Sequence, residues 1–171
     1  MITLSRVSLF LLLVLRGVNV SYAQTRERAK SRSEALIVLR GCATRPITLG
    51  CDEDTAGYLI KLYERGDKTL LKPLMQAGLS SDGALAEILG DFYSNVLWKN
   101  PREFLTALRS HPQSEQKSLS WLAAATDGSG MGGQMLRDIR RNLRRIGFES
   151  GPLAPVARIC LRQVEKVNAE K

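Results

Sequence analysis

Histidine occurs once in this chain of 171 residues, at His111. A hydrolytic triad needs an imidazole held by a third group, and a zinc site needs several nitrogen or sulfur ligands at short spacing. One histidine and three cysteines without paired spacing supply neither, so no catalytic set, no metal site and no cofactor is expected. Aromatic residues make up only 6% of the sequence, and no segment alternates apolar and polar positions convincingly. That argues against a sheet-based core. Long apolar runs are also missing. Residues 7–15 are apolar apart from Ser8, and Arg16 ends the run far short of the roughly 20 residues that cross a bilayer.

What is present begins with that short run. Arg6 precedes it, and Ser21-Tyr22-Ala23 follows, with small residues at the two positions a signal peptidase reads. The pattern predicts a signal peptide over 1–23, cut between Ala23 and Gln24, and a mature chain of 24–171 in the periplasm or outside the cell. No cysteine follows the run closely, which disfavours a lipid anchor. No transmembrane anchor is expected in the mature form. Its length suits one domain.

The three cysteines are Cys42, Cys51 and Cys160. In an oxidising compartment Cys42 and Cys51 form the expected disulfide, closing a short loop that contains Pro46 and Gly50. Cys160 sits among Val156, Ile159 and Val164 and reads as a buried thiol. Its pairing with one of the other two is the alternative.

Apolar spacing of three and four recurs along the chain and predicts an all-α fold of about seven to eight helices. The first spans 26–40 and stops at Gly41, and the second follows Asp52-Glu53-Asp54. A third, 67–77, carries Pro73, which predicts a kink. Ser80-Ser81-Asp82 reads as a cap for the fourth. Asn100-Pro101-Arg102-Glu103 reads as a capping box with proline at the first helical position. A sixth starts at Ser114, and two basic helices lie within 134–168. Trp98 and Trp121 are expected to pack between helices, with an exposed Trp98 near Tyr93 serving as a binding anchor as the alternative. A shift of 34 residues superimposes Leu71, Leu74 and Leu85 on Leu105, Leu108 and Leu119, each set reading helix, turn, helix. Over about residues 58–126 this resembles HEAT-type helical repeats, which implies either a short α-solenoid or hairpins gathered in a bundle.

Charge is unevenly distributed. The net charge is +8; residues 24–130 hold 14 Lys/Arg against 13 Asp/Glu, whereas 131–171 hold 9 against 4. Most of that excess lies on one helix, where Arg137, Arg140, Arg141, Arg144 and Arg145 face away from Leu136, Ile139, Leu143 and Ile146. Arginine suits bidentate contact with phosphate or carboxylate. The expected function is therefore an exported, non-enzymatic interaction protein that docks on a protein or an anionic envelope component. Nucleic acid is not an expected partner, because the chain is exported and aromatics do not interleave with the basic residues.

A rival class is an exported hydrolase or lyase with its site near the glycine-rich 127–133 segment, drawing on Asp127, Ser129 and a base such as His111 or Glu115. That segment follows a helix and lacks the Gly-Lys-Ser/Thr ending of a phosphate loop. Ser114-Glu115-Gln116-Lys117 matches the Ser-x-x-Lys of penicillin-recognising enzymes, without the other motifs of that class.

Overall fold

The computed structural model describes residues 31–42, 53–125 and 133–169. The expected signal peptide, the 127–132 part of the glycine-rich segment, Cys51 and the side chain of Cys42 lie outside the described residues. Eight α-helices, one 3-10 turn and no strand occupy the described part, so the chain is all-α. None of these helices is long and apolar enough to cross a membrane.

Ser31 and Glu34 open α1 (Arg32–Cys42) with a reciprocal cap. The Ser31 backbone N–H donates to the Glu34 carboxylate at 2.8 Å, and the Glu34 N–H donates to Ser31 Oγ at 3.2 Å. Helix α2 (Glu53–Glu64) runs into a turn at Gly66, whose φ of +118° is a conformation that side chains beyond glycine rarely adopt. A 3-10 turn (Lys68–Leu70) then leads into α3 (Leu71–Gly78). Pro73 therefore falls in the first turn of α3. Backbone N–H groups there have no helical acceptor, so its missing donor costs no bond and the predicted mid-helix kink does not arise. Arg32 reaches back to Asp67 at 2.5 Å and to Thr69 at 2.9 Å, tying α1 to this turn.

Helix α4 (Gly83–Lys99) is the centre of the bundle, packing against α2, α3, α5 (Pro101–Leu108), α6 (Gln113–Ala124) and α7 (Gly133–Phe148). Helix α8 (Ala154–Ala169) covers α6 and pairs with α7. Leu89, Phe92, Tyr93, Val96 and Leu97 of α4 are buried. Their rings extend a chain of aromatic contacts from Tyr63 through Phe92 and Tyr93 to Phe104, with centroids 5.0, 5.7 and 6.4 Å apart. The Tyr93 hydroxyl donates to the Leu74 carbonyl at 2.6 Å, fastening α4 to α3. The 34-residue echo falls on two short–long helix pairs, α3–α4 and α5–α6, with Leu71, Leu74, Leu105, Leu108 and Leu119 in the core.

Two expected caps are used otherwise. The Ser80 and Ser81 hydroxyls donate backward to the Ala77 and Gly78 carbonyls at the end of α3, and no side chain caps α4. Pro101 does open α5, but Glu103 accepts a hydrogen bond from the Tyr63 hydroxyl at 2.7 Å and does not return to the cap. The carboxylate is more valuable there because the Tyr63 hydroxyl is largely removed from water; burial first, then Glu103, holds its proton well above the usual tyrosine range. The two tryptophans differ from expectation as well. Trp98 is 37% exposed and Trp121 48%.

Candidate functional site

Helix α7 is amphipathic because its apolar residues recur at three and four. Ile139, Leu143 and Ile146 are buried, with Met135 and Leu136 packed at the edge of the core. The opposite side is basic. At 100° per residue the five arginines cover an arc of roughly 140°. Phe148 projects from the middle of that arc, four residues beyond Arg144 and seven beyond Arg141. It is 89% exposed, the most exposed large apolar side chain among the described residues.

The arginines are not equivalent. Arg137 donates to the Gln134 amide oxygen at 2.8 Å, Arg141 to Asp138 at 2.6 Å, and Arg144 to Glu165 of α8 at 2.9 Å. Arg145 is exposed and has no partner among the described residues. Arg140 is half-buried, and its Nε has no acceptor there either. Asp138 is the hub of the paired side: the Gln134 amide donates to both its oxygens, Trp98 Nε1 approaches at 3.5 Å, and Arg141 completes the set. These donors, Gln134 foremost, hold the Asp138 carboxyl below its ordinary range.

The α7–α8 hairpin continues the basic surface. Arg158 donates to the Gly147 carbonyl at 2.7 Å, capping the last turn of α7. Arg162 and Lys166 follow it at four-residue steps on the exposed side of α8. Acidic residues near this surface are engaged: Glu165 with Arg144, and Glu149 with Arg102 through two contacts of 2.6 and 2.7 Å. Two cavities lie elsewhere, along α6.

Those cavities carry what remains of the catalytic rival. One, of about 390 Å³, is lined by Gln76, Leu79, Ser80, Ser114, Glu115 and Ser118. The other, of about 380 Å³, lies between Ser81, Lys117, Trp121 and Gln163. His111 Nδ1 and Glu115 pair at 2.8 Å beside the first. A carboxylate orienting an imidazole is half of a proton-transfer system. No serine hydroxyl hydrogen-bonds to that imidazole among the described residues, and Asp127 and Ser129 lie outside them. No group of His, Cys, Asp and Glu among the described residues could hold a metal ion.

Cys160 is fully buried and free. Burial pushes its thiol up to about 12, and the neighbouring Ser120 hydroxyl, which has no other partner, offsets a little of that rise. Phe148 and the Ser31–Glu34 cap are the features that sequence reasoning missed. Helical spacing from Arg141 and Arg144 would have placed Phe148 on the arginine face. Comparison with protein-family models, with curated proteins and with solved structures returns no match for this chain.

Proposed function

We propose that the chain is an exported, non-enzymatic interaction protein that docks on an anionic macromolecular surface through the outer face of α7. The observation that carries this reading is the arginine arc with the exposed Phe148 at its C-terminal end, on a helix whose apolar side is already used by the core. Phe148, 89% exposed, adds an apolar contact to a face that is otherwise basic. Export rests on the 7–15 apolar run and on the small residues before Gln24.

Charge and apolar contact contribute differently. An arginine held near an anionic surface contributes about 1 kcal/mol, and salt screens that share over roughly 8–10 Å. Burying Phe148 adds about 1.5–3 kcal/mol that salt leaves in place. Arg141 and Arg144 are held by carboxylates and Arg137 by a neutral amide, so the exposed Arg145 carries the least committed charge. Together these terms give reversible attachment.

The test is retention of the chain on envelope fractions after Arg137→Glu, Arg141→Glu and Arg145→Glu are combined. All three positions are exposed, so the helical content should be unchanged by circular dichroism. Retention is expected to collapse. Retention equal to that of the parent chain would remove the docking reading.

A further inference from the structure

Resting on that reading, we infer that the surface α7 meets is a bilayer of anionic phospholipid, with Phe148 entering between headgroups. Three features choose a bilayer over an acidic protein. The two cavities along α6 are lined by residues of α3, α4, α6, α8 and the α3–α4 connection, and by none of α7. The side of a helix meets a deformable planar surface without needing a complementary groove.

The one apolar contact is a single ring at the end of the helix. A protein interface of ordinary strength buries a cluster of apolar side chains at its centre. One ring at the end of a row of guanidinium groups instead fits the headgroup region, where phosphates and the upper acyl chains lie within a few ångströms of one another. Arg141, Arg144 and Arg145 precede Phe148 on the same side of the helix within about two turns, and a guanidinium fork matches a phosphodiester bidentately.

The acidic residues nearby leave the positive charge in excess. Asp138 and Glu165 each hold one arginine, and Glu149 holds Arg102 of α5. Arg145 and Arg140 remain without acceptors among the described residues, and Arg162 and Lys166 extend the same sign along α8.

The experiment is co-sedimentation of the full chain with vesicles of phosphatidylcholine alone and of phosphatidylcholine mixed with phosphatidylglycerol. The N-terminal segment, with the apolar 7–15 run and Arg6 and Arg16 beside it, is common to the parent and the variants, so the change in preference from parent to variant is the readout. The parent chain should prefer the phosphatidylglycerol vesicles. Combining Arg137→Gln, Arg141→Gln and Arg145→Gln should weaken that preference by about fivefold per residue. Phe148→Ala should weaken binding to the mixed vesicles about tenfold without changing its salt dependence. Equal binding to both compositions, or a preference that ignores both sets of substitutions, overturns the inference. If vesicles show no preference while retention on envelope fractions still needs the arginines, the bilayer is wrong and docking on an acidic protein or polymer stands. If retention ignores the arginines too, both readings fall.

Discussion

Arg144 Nη2 lies 2.9 Å from Glu165 Oε1, a bond between α7 and α8 that spends one arginine of the basic face on the hairpin itself. Both side chains are partly exposed, so the pair adds little to stability. Glu165→Gln should therefore shift unfolding by no more than about 0.5 kcal/mol. It should also free Arg144 and remove one negative charge from the face. Attachment to an anionic surface is expected to strengthen about fivefold at low salt, and the gain should fade as salt is raised. Binding titrations at two salt concentrations read both effects.

A methyl group built on Gly78 would lie 2.5 Å from the Tyr93 hydroxyl and 3.0 Å from its ring. The ring cannot retreat, because it is fully buried and its hydroxyl is held by the Leu74 carbonyl. Gly78→Ala is expected to cost about 1–3 kcal/mol in urea unfolding despite alanine's better helix propensity. Adding Tyr93→Phe removes the nearest clashing atom. The double variant should then be less destabilised than the sum of the two single changes.

Cys160 should be chemically silent in the folded protein. With its thiol pushed up to about 12 by burial, almost no thiolate exists at pH 8. Alkylation of Cys160, followed by peptide mass spectrometry, is expected only after denaturant is added. Labelling in native buffer at the rate of a free peptide thiol would show that α8 does not pack on α6 as described.

Asp138 gives a pH dependence with a definite sign. Its folded pKa lies below the ordinary value of 3.8. A depressed carboxylate contributes stability above its unfolded pKa and loses it as pH falls through the folded value. Asp138→Asn should therefore be less stable than the parent at neutral pH, with the gap constant down to about pH 4 and closing below it. Paired melts across that range measure the gap.

The helices were legible because each carries its apolar residues at three- and four-residue spacing, and α7 is the clearest case. Proline at position 101 likewise marked the start of α5. What the sequence did not disclose was competition among acceptors. Glu103 fits a capping box by spacing, but it lies where the Tyr63 hydroxyl of α2 needs a partner, and that contact joins residues 40 apart. Ser80 and Ser81 look like caps for the helix that follows and serve the helix that precedes. Ser31 and Glu34 do form a reciprocal cap, with the spacing in plain view, but the polar residues ahead of them drew the expected helix start earlier. Within the candidate site, the arginine face could be read from periodicity. The unequal commitment of its members could not, because Arg144 is claimed by a residue on the neighbouring helix.

The most direct test of docking through α7 is a photoreactive amino acid placed in turn at Arg145 and, as controls on other exposed surfaces, at Ile37 of α1 and Trp121 of α6. Irradiation in the native envelope should give adducts from position 145, and none from 37 or 121. Adducts from 37 or 121 with none from 145 would place the working surface elsewhere and contradict the account.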